Sequence, residues 1–491
     1  MTSPTPVQLQ HYIDGVWLEG DGSPIASTNP ARSEETVAQG RQAGAAEVDR
    51  AMAAAVAAKR EWARTPAHER GAVLLRAAAE LERNANVWGL ELAREEGKTV
   101  AEGRGEVLRA AQIFRYYGND GDRTAGEIFA SPRRGEKILV TRKPLGVIGV
   151  VTPFNFPIAI PAWKIAPALA YGNTVVWKPA STVPLLAMRL AQALDAAGLQ
   201  AGVLNLLIAP GSMGNAIVEH PALDGLTFTG STGVGRRLAA AAAGRGVPVQ
   251  AEMGGKNAAV VLADADLELA AEQVMLGAFR STGQKCTATS RLIVAEAIAD
   301  EFLATLSERA SSLSVGDPTD PSVAMGPVVN DASRKSILDG IGTALAQGAE
   351  LIAGGKAYDD GVLASGYFVP PTILELPADR ELDVWREELF GPVLAVRRAA
   401  STEQAFELAN DSEFGLSAAL FTQDVTRALE AIDDLDVGIL HVNSESAGAD
   451  PHVPFGGAKK SGYGPKEQGA AAKDFFTHTT TVYLRGGAAG V

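Results

Sequence analysis

A chain of 491 residues exceeds what one hydrophobic core serves; single cores stop growing near roughly 250–300 residues, so two or more domains are expected. With 46% hydrophobic and 21% charged residues the composition is globular, which excludes a disordered or fibrous protein. The net charge of −14 argues against non-specific binding to nucleic acid or to an anionic membrane, and a single cysteine excludes an internal disulfide.

The N-terminus, MTSPTPVQLQHYIDG, has neither a basic region nor an apolar run of signal-peptide type, and no run approaches 18 uninterrupted apolar residues. A cytoplasmic protein is expected. Ala, Leu and charge recur at helical spacing over 47–63, 68–95 and 102–121. RRGEKILVTRKPLG (133–146) alternates like an exposed strand. From 146 the pattern changes: GVIGVVTP (146–153) is almost continuously apolar, as a strand buried on both faces requires. Helix 157–171, strand 173–179, helix 183–197, strand 202–210, helix 212–220, strand 223–230, helix 233–243 and strand 247–254 follow. Such alternation predicts a doubly wound parallel sheet. A second α/β series runs from NAAVVLADAD at 257 to GILHVNS near 444. The tail FFTHTTTVYLR (475–485) alternates and is expected to pair as an edge strand, and the glycine-rich end (486–491) to be mobile. No repeat of 20–50 residues is visible.

The lone cysteine lies in RSTGQKCTATSR (280–291). Free cysteines are most often small buried hydrophobes. Polar neighbours Gln284, Lys285, Thr287 and Thr289, and Gly283 before them, favour a nucleophile instead. This stretch alone leaves both open. None of the six histidines shows metal spacing, so no metal is expected; His452, near a glycine-rich loop, is one alternative for a base. Glu252, in QAEMGGKN at the end of a buried strand, is another, because ligands bind at strand carboxyl ends; its bland role is a satisfied ion pair. FTGSTGVG (228–235) joins strand to helix without matching G-x-G-x-x-G or a P-loop, yet a helix N-terminus there can hold a phosphate. Lys178 in WKPAS suits a ribose or phosphate, or is a solvated loop lysine. Asn155 in TPFNFP is either a turn residue or an amide donor to an oxyanion.

Taken in order, PFNFP, KPA, FTGS, EMGGKN, GQKC, EELFGPV and PFGG resemble the aldehyde dehydrogenase superfamily, from YIDG (12–15) to SGYGPKEQG (461–469). The resemblance implies a Rossmann-like cofactor domain over 1–122 and 145–254, a second α/β catalytic domain over 255–465, and small β bridging segments at 123–144 and 466–491 that make a homo-oligomer. It implies that the thiolate of Cys286 attacks an aldehyde. The oxyanion is held by Asn155 and the Cys286 N–H, and Glu252 activates the water that hydrolyses the thioester. Lys178 and Glu388 hold ribose, and Phe390 lies on the nicotinamide side. Gly230, Ser231 and Gly235 form the diphosphate turn, with Thr152, Pro153, Phe154, Ala180, Gly211, Phe228 and Gly254 along the same cleft. Intact Glu252 argues against a CoA-acylating relative, and intact Cys286, Glu252 and Asn155 against a non-catalytic binding protein.

Two positions sharpen the expectation. Ser181 stands where relatives preferring NAD often carry Glu; serine does not repel a 2′-phosphate, so NADP is admitted beside NAD. Arg109 matches a position that lines the substrate pocket, and Lys285 faces that pocket by resemblance. Two cations suit a carboxylate- or phosphate-bearing aldehyde, unless Arg109 instead pairs with Glu106 or Glu102 on its own helix. Phe156, Trp163, Phe455 and Thr287 complete the walls. FRSTGQKCTATSR most resembles the α-ketoglutaric semialdehyde branch; succinic semialdehyde and an aromatic aldehyde are the alternatives.

Overall fold

The computed structural model describes residues 5–120, 123 and 126–486. Of the glycine-rich end only Gly486 falls among them, and the boundary expected at 122 and the end of the helix expected over 102–121 lie outside. The first layer is an eight-stranded sheet in the order Gly462–Tyr463, Val249–Glu252, Gly225–Thr229, Val147–Val151, Thr174–Lys178, Leu204–Leu206, His11–Ile13, Val16–Leu18. Its five central strands are parallel, and antiparallel pairs close both edges. Successive strands step outward from Val147–Val151 in one direction and then in the other, so the order reverses beside it. That reversal opens a crevice at the strand carboxyl ends.

Helices cover both faces, which is why these strands read as continuous apolar runs. One core gathers Phe114, Ile160, Trp177 and Leu190; the other gathers Met52, Ile217, Phe228 and Leu238. Chain expected in the second half and in the bridging tail also joins this layer. Gly462–Tyr463 pairs with Val249–Glu252, and Phe475 and Phe476 of the Gly469–Phe476 helix enter its core because burial favours two adjacent aromatics.

A seven-stranded sheet forms the second layer, ordered Glu350–Ala353, Thr372–Glu375, Val393–Ala399, Thr289–Ala295, Asn257–Val261, Ser417–Phe421, Ile439–Val442. All its pairs are parallel except the one at the Glu350–Ala353 edge. The tail strand Thr477–Arg485 pairs antiparallel with Glu136–Pro144, which pairs with Gly126–Phe129, making a separate three-stranded sheet. Among the features that escaped the sequence pattern, two stand out. Polar strands Val7–Gln8, Pro24–Asn29 and Arg32–Arg41 form a small sheet. The helix Asp331–Ala346 carries Gly340 and Gly342, which masked its period; its cap, Asn330 accepting from Ser333 N at 2.8 Å, was the available signal. Among the described residues no helix is long and apolar enough to cross a membrane.

Candidate active site

The crevice at the strand reversal is a cleft of about 670 Å³. Thr152, Pro153, Phe154 and Asn155 enter it from the loop after Val147–Val151, and Lys178 and Ala180 from the end of the next strand. Trp177 Nε1 donates to Thr152 Oγ1 at 2.9 Å, locking the loop to that strand. Phe154 meets Phe390 edge-on at 5.7 Å, with Phe390 held at φ 54°. Burial lowers the Lys178 ammonium to about 8, and its Nζ donates to Pro179 O at 2.9 Å.

Glu388 reaches over from the second layer. Its Oε1 accepts from Gly255 N at 3.0 Å, and any Cβ on Gly254 would collide with its Oε2. Burial raises this carboxyl to about 7, against the Gly255 N–H and Lys256. Gly230 and Ser231 open the Thr232–Ala243 helix, and the Ser231 side chain caps none of its N–H groups. That positive helix end therefore faces the cleft uncapped, as an anion seat does. A Cβ on Gly235 would meet Met253 Sδ at 2.7 Å, so Gly235 packs behind the turn instead of lining the cleft. Ser181 stands just past the last lining residue of its turn, Ala180. Gly211 and Phe228 line the cleft as expected; Arg237 and Ser333, not singled out in the sequence, also do.

A second cavity of about 630 Å³ is bordered by Arg109, Phe156, Trp163, Lys285, Thr287 and Phe455. Cys286 borders both cavities. Its loop is built under strain: Ser281, Thr282 and Gly283 are consecutive left-handed residues at φ 52°, 55° and 67°. Each non-glycine residue there costs about 1–3 kcal/mol. Glu102 offsets this by accepting from Ser281 N at 2.8 Å and Ser281 Oγ at 3.2 Å. Asn257 Nδ2 donates to Cys286 O at 2.8 Å. Burial, then the charges of Glu388 and Glu252, push the thiol up to about 12. The thiol is thus favoured in its protonated form.

His452 is solvent-exposed and borders neither cavity. Glu252 is buried at 4% exposure. Its Oε2 accepts from Gly457 N at 3.3 Å, so the carboxylate is turned toward the Gly456–Gly457 turn and lines neither cavity. Burial first, and then the nearby Glu467 charge, raise it well above the ordinary carboxyl range, against Lys164. Lys164 Nζ bonds Glu467 Oε1 and donates to Thr227 Oγ1 at 3.0 Å. Two buried carboxyls and one buried ammonium thus stand together behind Cys286. Lys164 and Glu467 were not singled out because nothing local in the sequence marks them.

The charged wall differs from its expectation. Arg109 pairs with neither Glu102 nor Glu106 but with Asp450 at 3.2 Å. Lys285 borders the cavity, yet it is 6% exposed and its Nζ is engaged by Glu445 Oε2 at 3.3 Å and Leu276 O at 3.2 Å. Its charge is neutralised at the wall, since an unpaired buried ammonium is costly. Arg280, half exposed, pairs with the other oxygen of Glu445 at 3.2 Å, so one carboxylate serves two cations. Trp163 and Phe455 rings lie 5.4 Å apart beside them.

A thiol shared by a cleft at the strand carboxyl ends and a charge-lined cavity agrees with the comparisons. The model of the aldehyde dehydrogenase family matches residues 17–482. The chain belongs to that family. It is 42% identical over 477 residues to the alpha-ketoglutaric semialdehyde dehydrogenase of Bacillus subtilis (strain 168), covering 97% of this chain and 98% of that one. It is 41% identical over 486 residues to the alpha-ketoglutarate semialdehyde dehydrogenase of Haloferax volcanii, covering 98% and 99%. Among solved structures, PnpE in complex with nicotinamide adenine dinucleotide superposes with a TM-score of 0.94 at 37% identity, covering 98% of each chain. The protein is therefore an aldehyde dehydrogenase with the two-layer α/β fold of its family.

Proposed function

We propose that this dehydrogenase oxidises a carboxylate-bearing semialdehyde of the α-ketoglutaric type to its acid, using NAD or NADP. The observation that carries it is the Cys286 thiol, common to both cavities. The cleft's residues fit a dinucleotide: an uncapped helix start for the diphosphate, a carboxylate and an ammonium for ribose hydroxyls, and a glycine at 254 where a side chain would strike Glu388. A cofactor held by these residues would supply the acceptor for the hydride of the substrate C–H. Arg237, exposed along the cleft, and Ser181 together leave room for a 2′-phosphate.

Cys286 Sγ attacks the carbonyl carbon and its proton passes to solvent or a buried carboxylate. The tetrahedral oxygen is met by the Asn155 amide and the Cys286 N–H. Once the hydride has left, the thioester stays on Cys286. Glu252 takes a proton from water, whose oxygen attacks the acyl carbon; the C–S bond breaks and the acid leaves. Glu467 and Lys164 hold or release that proton behind Glu252. The substrate carboxylate meets Arg280 and Arg109 at the cavity mouth, the cations open to solvent, while Lys285 is neutralised at the wall. The two relatives named for α-ketoglutarate semialdehyde support this choice.

The test is kcat/KM over about a dozen aldehydes with both cofactors. Preference for the five-carbon oxo-semialdehyde is expected; preference for a neutral aromatic aldehyde, which Trp163 and Phe455 could stack against, overturns the anionic substrate. The three-stranded sheet exposes Ile128, Phe129, Tyr483 and Leu484. An oligomer through it, dimer or tetramer, is the accompanying proposal, and light scattering that returns a 51.0 kDa particle removes it.

A further inference from the structure

The loop that carries Asn155 is gripped by a buried ion pair that the chemistry above leaves idle. Lys98 Nζ and Glu106 Oε2 lie 2.8 Å apart, each side chain 2% exposed. The Glu106 carboxylate divides its work. While Oε2 takes the ammonium, Oε1 accepts from Ile158 N at 3.0 Å and Ala159 N at 3.2 Å, the open start of the Ala159–Ala170 helix. The same ammonium donates to the Asn155 carbonyl oxygen and sits 3.7 Å from the centre of the Phe156 ring. Glu96 backs the pair, accepting from Lys98 N at 3.1 Å. Residues 155, 156, 158 and 159 are thus all tied to one pair of charges, and both charges border the substrate cavity next to Cys286.

A buried ion pair is a weak source of stability compared with apolar packing of the same volume. This one contacts the loop that carries Asn155, one of the two groups given the oxyanion. A shift of about 1 Å in such a group costs on the order of 100-fold in rate. The geometry points to Lys98 and Glu106 as positioning residues: by holding the backbone of Asn155 and the helix start behind it, they aim the Asn155 amide at the carbonyl attacked by Cys286. This rests on the oxyanion role given to Asn155 above.

The test uses the full-length enzyme saturated with cofactor. K98M/E106Q removes both charges of the pair together. Glu96, which burial already pushes up to about 8, is expected to stay protonated once the ammonium beside it is gone, and the carbonyl oxygen of the introduced amide still offers an acceptor to the N–H groups of Ile158 and Ala159. Two rates are read: the hydride burst, which passes through an oxyanion, and alkylation of Cys286 by iodoacetamide, which does not. The burst is expected to slow by about 30-fold or more, with alkylation within about twofold of the parent. N155A alone is expected to slow the burst by about 100-fold or more. Adding K98M/E106Q to N155A should then slow it by no more than about threefold, because the pair acts through a group already removed. An unchanged burst in K98M/E106Q, an equal loss in alkylation, or effects that multiply in the N155A background would overturn the inference. An unchanged burst in N155A would instead remove the reading of Asn155. E106D keeps the charge and shortens its reach; should the double variant not fold, E106D must still slow the burst several-fold with alkylation intact, and failure to do so overturns the inference.

Discussion

The two cavities that meet at Cys286 are built by different means. The cofactor cleft draws on backbone: strand ends, glycines at 230 and 254, an uncapped helix start and, besides the shared Cys286, two ionisable groups shifted by burial, Lys178 and Glu388. The substrate cavity is made of side chains that answer one another across the chain: Arg109 with Asp450, Arg280 and Lys285 with Glu445, Lys98 with Glu106. A cofactor common to many relatives needs a fixed backbone cradle, whereas substrate choice is set by side chains that can change without disturbing the sheet. The difference teaches what a substitution disturbs: a charge at the mouth loses its partner, whereas a side chain at Gly254 would displace the Glu388 carboxylate.

The sharpest break of this comparison is at the thiol both sides share. C286A should abolish hydride formation with every aldehyde, a loss of about 10⁴-fold or more followed as cofactor absorbance; turnover that survives refutes the mechanism. E252Q should separate the two chemical halves, keeping a hydride burst while steady-state turnover falls by about 10²–10⁴-fold. Because the Glu252 carboxyl is raised, deacylation in the parent should weaken as pH falls through that raised value, where the base becomes protonated. Full turnover in E252Q would remove the residue from its role.

The substrate wall is probed next. R280L, and more weakly R109L, should lower kcat/KM for carboxylate-bearing aldehydes by about 10–100-fold, the worth of one charge-assisted hydrogen bond, and leave neutral aldehydes within about threefold. Equal losses on both kinds would show that the cations only hold the wall together. On the cofactor side, S181E should lower kcat/KM for NADP about tenfold relative to NAD through repulsion of the 2′-phosphate; an unchanged ratio would assign that choice to Arg237 or elsewhere. The gentlest probe is pH. Glu388 accepts best as a carboxylate, above about 7, and Lys178 donates best as an ammonium, below about 8. Cofactor kcat/KM should therefore peak between these values and fall on either side.

Much of the first layer was legible because strands buried on both faces must be continuously apolar and their connecting helices amphipathic, and each predicted element from 146 to 254 returns within a few residues of its expected bounds. Phe475 and Phe476 were read as part of a tail strand, since alternation says nothing of which core a segment reaches. Lys285 was expected to offer its charge to substrate; Glu445, 160 residues away, takes it. Arg280, Glu445, Lys164 and Glu467 carried no local signal, because each owes its role to a partner far along the chain.

By itself the sequence determined the family, which rests on motifs in fixed order, and it marked a cysteine among polar residues and glycines where strand turns to helix as candidates for the nucleophile and the cradle. Only the tertiary structure decided which charges are paired and which of the pairs lie open to solvent. A charge is available to a ligand according to what else has been buried beside it, and that neighbour is chosen by the fold, at any distance in sequence.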